Sequence, residues 1–230
     1  MDNRYYFNEI NNNIVTISGG EAQHLSRVRR AKIGDEIVAF NGDGYDYNLK
    51  INEISKDKVK AVVESKILNK ATHDTNITVY LSMIKNDALT TAIDNLAELN
   101  VKHVKLFKSD YSVAQIDDKK LEKLNQIAIQ ASKQCERADI MQISIINKKD
   151  IQTDCENTKV FFAYENSNNK IEKFGGDFAV IIGPEGGFSQ AENELFSSFA
   201  NNVSLSKTIL RAEVACVTSV SMLKAVNYES

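Results

Sequence analysis

The run Phe178-Ala-Val-Ile-Ile182 places five apolar residues in a row and stops at Gly183-Pro184, the only proline among 230 residues. A continuous apolar run of this length suits a central parallel strand covered on both faces. Proline has no N–H to extend a ladder, so the strand ends there, and it biases Gly183 toward an extended backbone. Gly186-Gly187 then permit positive φ and let a ligand approach the backbone. Ser189-Gln-Ala-Glu192 fits a capping box, and Leu195 and Phe199 continue an apolar helix face. The unit is thus strand, stiff turn and helix, and in α/β sheets ligands bind at that end of a strand. A tight connection without a ligand is the alternative.

The surrounding pattern agrees with an α/β class. From residue 77 onward strands and helices alternate: strands over 77–84, 103–107, 140–146, 160–164 and 178–182, helices over 87–99 and 118–136. Such alternation predicts a parallel sheet with helices on both faces. Residues 1–68 read differently. Short strands over 14–17, 36–40, 45–54 and 59–65 are punctuated by Gly19-Gly20, Gly34-Asp35 and Asn41-Gly-Asp-Gly44, which predicts a small β-barrel. The polar stretch Asn69–Asn76 marks the boundary, giving domains over 1–68 and 73–230.

Composition excludes several function classes. Cys135, Cys155 and Cys216 are scattered, without a C-x-x-C pair, and His24, His73 and His103 lie far apart, which argues against a disulfide framework or a metal site. The opening MDNRYYFNEI has no apolar signal segment, and no apolar run reaches the length of a membrane span, so the cytoplasm is the expected compartment. A net charge of −3 speaks against a general polyanion binder. However, phosphate binding depends on local clusters, and His24-Leu-Ser-Arg-Val-Arg-Arg-Ala-Lys32 carries four cations in six residues. A solvated helix face is the plain alternative.

The glycine turn matches neither the P-loop nor the dinucleotide pattern, and Glu185 would repel a phosphate. A ligand with a positive or neutral centre, such as the sulfonium S-adenosylmethionine, suits it better. A second element follows. Val203 and Leu205 alternate as in a short strand, Ser206-Lys-Thr208 turn, and a helix opens near Arg211 with Glu213 in its first turn. Val214–Leu223 is uncharged and rich in small residues, which predicts burial in the core or in a subunit interface.

Together, IGPEGGFS and the later L-x-x-x-ILR-x-E resemble the SPOUT methyltransferases that methylate N3 of a uridine in 16S ribosomal RNA. Arg4-Tyr-Tyr-Phe7, His24–Arg30 with Gly34-Asp35, Ala97–Val101 and Gln134–Arg137 are similar to further parts of that family. The sequence departs from it at Ser206, where the family has glycine, at Ala212 and Val214, where it has threonine, and at Asn95, Asn100 and Lys133.

The resemblance implies a PUA-like N-terminal β-barrel that grips RNA and a SPOUT α/β domain with a deep trefoil knot. It implies a homodimer acting on 16S rRNA within the small ribosomal subunit, with no metal and no membrane. Cofactor contacts carry over to Ala163, Tyr164, Gly183, Glu185, Gly186, Gly187, Leu205, Ser206, Ile209 and Leu210. Arg211 and Glu213 are the catalytic candidates, the first to stabilise a uracil anion and the second to accept a proton. Arg4, His24, Arg27, Arg29, Arg30 and Lys32 are the RNA-binding candidates. A SPOUT enzyme for another RNA position, or a non-catalytic RNA-binding assembly factor, are the rival readings.

Overall fold

The computed structural model describes residues 4–71 and 75–228, so part of the expected domain boundary, residues 72–74, lies outside the described residues. The chain forms two compact units. The first gathers residues up to 73 together with Ser132–Ile140, and the second holds the remainder.

The first unit is built on six strands: β1 (Arg4–Tyr6), β2 (Glu9–Asn11), β3 (Ile14–Ser18), β4 (Glu36–Phe40), β5 (Tyr45–Ile54) and β6 (Lys58–Leu68), in the order β1-β4-β5-β6-β3-β2. All neighbours are antiparallel except β1 with β4. β1 and β2 lie on opposite edges yet are joined by only two residues, so the sheet must curl into a half-barrel. Tyr5, Phe7, Ile17, Leu25, Leu49 and Val59 fill it. After β3 the chain runs into α1 (Gly19–Gln23), which continues as a π-helical turn over His24–Val28. Arg30 then takes a left-handed backbone, φ 53°.

Ser132–Ile140 joins this unit through specific polar contacts. Within the segment, Arg137, only 1% exposed, donates from Nε and Nη2 to Asp139 at 3.1 and 2.9 Å. Gly44 N–H donates to the Ala138 carbonyl, and Asn69 Nδ2 to the Glu136 carbonyl. Lys133, a departure from the family pattern, pairs with Glu21 at 2.6 Å.

The second unit is a parallel sheet of β7 (Ile77–Ser82), β8 (His103–Phe107), β9 (Gln142–Ile145), β10 (Lys159–Ala163), β11 (Phe178–Ile182) and β12 (Asn201–Val203), in the order β12-β10-β11-β7-β8-β9. Every pair is parallel, so all six carboxyl ends lie along one side. The helices are α2 (Asn86–Glu98), α3 (Asp118–Gln134), the short α4 (Ile151–Asp154), α5 (Gln190–Ser197) and α6 (Ala212–Tyr228). All five residues of β11 are buried, as its apolar run predicts. Asn100 adopts φ 62° after α2 and so takes the left-handed position open to asparagine.

One expectation is corrected here. β12 ends at Val203, so Leu205 belongs to the loop beyond it. Within the single chain α6 buries one stripe. Ala212, Cys216, Ser219, Val220 and Leu223 form its inner face, while Val214 and Met222 remain 43% and 36% exposed. A helix against one sheet face can bury only one stripe.

Candidate active site

Three loops leave the carboxyl ends of β10, β11 and β12 and meet. Tyr164 N–H donates to the Val203 carbonyl at 3.0 Å, tying the first loop to the end of β12. In the second, Gly187 N–H donates to the Pro184 carbonyl at 3.0 Å, and Gly187 has φ +71°. Gly186 is not left-handed, contrary to the expectation for the pair. A Cβ there would meet the Tyr111 Cβ at 3.4 Å, an ordinary van der Waals contact, so Tyr111 is its neighbour. At Gly183 the constraint is space, because a Cβ would lie 2.8 Å from Phe188 Cε2.

The turn is held from below. Ser189 opens α5 with the predicted capping box: Glu192 N–H donates to Ser189 Oγ at 3.3 Å, and Ser189 N–H donates to Glu192 Oε2 at 3.0 Å. In the third loop, Thr208 N–H donates to Ser206 Oγ at 3.1 Å. The hydroxyl that replaces the family's glycine thus closes a local turn.

Between the loops lie two adjoining cavities of about 80 and 100 Å³. Ala163, Tyr164, Glu165, Leu210 and Ala215 line both. Leu205, Ser206 and Ile209 complete the first, and Gly183, Gly187 and Phe188 face the second. Eight of the ten expected cofactor residues therefore converge here. Glu185 and Gly186 are not among the lining residues. The Glu185 side chain is exposed and accepts from Lys85 N–H at 3.2 Å, at the start of α2. Small and apolar side chains dominate the wall, with Glu165, Ser206, Thr208 and Asn193 as its polar side chains.

Arg211 and Glu213 stand where the third loop becomes α6, beside the lining residues Leu210, Ala212 and Ala215. The Arg211 carbonyl accepts from Ala215 N–H at 2.8 Å. Arg211 is exposed and Glu213 half-buried, and no ion pair joins the two among the described residues.

In the first unit, Arg27, Arg29, Arg30 and Lys32 are all exposed, on and just after the π turn. His24 is half-buried, with its ring 5.9 Å from that of Tyr5. Arg4 stands apart from this group. It pairs with Asp46 and lies 4.7 Å over the Phe40 ring, so its guanidinium is committed inside the unit.

Residues 71–224 match the family model of the RNA methyltransferase domain, and residues 17–64 that of the RNA methyltransferase PUA domain. A small-subunit ribosomal RNA methyltransferase E of Helicobacter pylori is 31% identical over 90% of this chain and 92% of its own. The chain belongs to this RNA methyltransferase family. The enzyme of the same description from Rickettsia conorii is 29% identical over 96% of this chain and 95% of its own. A Legionella pneumophila methyltransferase solved with bound SAM superposes with a TM-score of 0.85, at 25% identity and 98% coverage of both chains.

Sequence reasoning missed several residues that line the paired cavity: Glu165, Thr208, Phe188, Asn193 and Ala215. Glu165 follows Tyr164 directly at the end of β10 and was within reach. Ala215 lay in a small-residue stretch that was read for burial in the core or at a subunit interface, not for a ligand.

Proposed function

We propose that this methyltransferase carries the methyl group of S-adenosylmethionine to N3 of one uridine in the 16S RNA of the small ribosomal subunit. The observation that carries the reading is the meeting of the three carboxyl-end loops around the paired cavity, in a chain of this family. The two cavities adjoin and share Ala163, Tyr164, Glu165, Leu210 and Ala215. The cofactor spans both, with Ala163, Tyr164, Leu205, Ile209 and Leu210 against its apolar parts and the Gly183–Gly187 turn presenting backbone groups. Glu165, facing both cavities, supplies a carboxylate suited to a cation. The interlocked strand order, with β12 laid beside β10 and the third loop against the second, supports the trefoil knot.

When bound, the cofactor supplies an electrophilic methyl group. Uracil N3 carries a proton at neutral pH, and that proton must leave for a lone pair to attack. Glu213 accepts it, and Arg211 stabilises the negative charge on the ring. Holding N3 in line with the methyl group supplies much of the acceleration. N3 lies on the pairing edge, so the base must be unpaired or turned out. Arg27, Arg29, Arg30 and Lys32 hold phosphates, which position RNA without reading its sequence. The exposed Val214 and Met222 of α6, with the cavity of about 510 Å³ that Met222 helps to line, support a homodimer. A ribosomal RNA substrate places the enzyme in the cytoplasm.

The test is reaction of the purified chain with the cofactor and small subunits from cells lacking it, followed by nucleoside mass spectrometry. N3-methyluridine at one position is expected. A ribose 2′-O-methyl product, or none, would refute the assignment.

A further inference from the structure

The sheet side that carries the cavity holds one feature the reaction above does not use. Beyond β8, residues 109–112 form a tight turn, with Ser112 N–H donating to the Ser109 carbonyl at 3.1 Å. This turn is fixed from two directions. Inward, the hydroxyls of Ser82, Ser109 and Ser112 form a closed triangle with sides of 2.7, 2.9 and 2.9 Å, and Ser82 and Ser109 are buried. Sideways, it is bonded to the start of α5. Asp110 N–H donates to Glu192 Oε1 at 2.9 Å, Ser189 Oγ donates to Asp110 Oδ2 at 2.5 Å, and Lys148 Nζ bridges Asp110 and Glu192 at 2.6 and 2.7 Å.

At the tip of this anchored turn stands Tyr111, 54% exposed, with its Cβ against Gly186. Gly186 is one residue from Gly187, which lines the cavity. So an exposed aromatic side chain stands next to Gly186, the neighbour of a cavity-lining residue, on a turn held by a network of polar contacts. A side chain serving only to pack would be buried, and a merely solvated one would need no such anchoring.

We propose that Tyr111 is the stacking platform for an unpaired base of the RNA substrate. This rests on the reading of the chain as an RNA base methyltransferase. An unpaired base loses its stacking partners, and an aromatic ring replaces them at any sequence, because every base has a π face. A fixed platform also lowers the ordering cost of holding the base for in-line attack. The platform stands close to the Gly183–Gly187 turn, since a Cβ built at Gly186 would come into van der Waals contact, 3.4 Å, with the Tyr111 Cβ.

The experiment compares wild type, Tyr111→Ala and Tyr111→Phe in the full chain, with small subunits from cells lacking the protein as substrate. Cofactor binding is followed by calorimetry and folding by thermal melting. Tyr111→Ala is expected to lower kcat/KM roughly 5- to 150-fold, the range of one lost base–aromatic stack. Cofactor affinity and melting temperature stay the same, and Tyr111→Phe, which keeps the ring face, restores most of the activity. Equal activity of wild type and Tyr111→Ala overturns the platform while leaving the methyltransferase reading intact. So does a loss in Tyr111→Ala matched by lower cofactor affinity or melting temperature. Failure of wild type itself to methylate overturns both.

Discussion

Gly183 shows how much of the site depends on single atoms. The sequence suggests an extended glycine ahead of proline, and the structure adds that its missing Cβ makes room for the Phe188 ring. That ring cannot retreat easily, because Phe107, Phe162 and Phe196 surround it with centroids 6.3, 5.3 and 5.1 Å away. Gly183→Ala is therefore expected to lower stability by about 1–3 kcal/mol through overpacking, and to weaken cofactor binding because Phe188 lines the cavity. Denaturant melts and calorimetry check both, and unchanged values would show that the ring moves freely. No reading of the sequence alone could pair residue 183 with the ring of residue 188, since that contact depends on the fold of the turn. A positive φ within Gly186-Gly187 was legible, because both are glycines in a turn, but which of the two adopts it was not: Gly187 does and Gly186 does not.

Among the elements, the motif loop and α5 read clearly because their signals are local: an apolar run, a proline and a capping box within 15 residues. β1 and β2 escaped, being three residues each and, in β2, exposed throughout, so neither shows alternation. The anchoring of the 109–112 turn to α5 was equally invisible, since it joins residues 38 to 82 positions apart. It has a pH signature. Lys148 beside Asp110, and the Ser189 hydroxyl bonded to it, hold the Asp110 carboxyl below the usual carboxylate range. Burial lowers the Lys148 ammonium, but its bonds to Asp110 and Glu192 outweigh this and leave it above the usual lysine range. Asp110 reverts to its ordinary value on unfolding. Its contribution is therefore complete above the carboxylate range and disappears as pH falls through the lowered folded value. Lys148 behaves oppositely and loses its contribution only in strong alkali. Asp110→Asn should thus melt below wild type at neutral pH, with the gap closing on acidification. A gap independent of pH would contradict the ion pair's role.

For the whole molecule, the class of each unit was legible from its period: alternation with turn signals in the first, strands alternating with helices in the second. The assignment of Ser132–Ile140 to the first unit was not, because it rests on contacts of Asn69 with Glu136, Gly44 with Ala138 and Glu21 with Lys133, all distant in sequence. The site was legible where glycine and proline fixed it and obscure where an ordinary residue such as Ala215 or Glu165 merely faces inward. All of the functional account depends on the paired cavity being the place where the methyl donor sits. Ala215 lines both halves, so Ala215→Leu would fill the space without adding charge. The decisive measurement is calorimetric titration of S-adenosylmethionine into wild type and Ala215→Leu, with melting curves to confirm equal folding. The account predicts one cofactor per wild-type chain and at least a tenfold loss of affinity, about 1.4 kcal/mol or more, in the variant. Equal binding by a folded Ala215→Leu would place the donor elsewhere and contradict it.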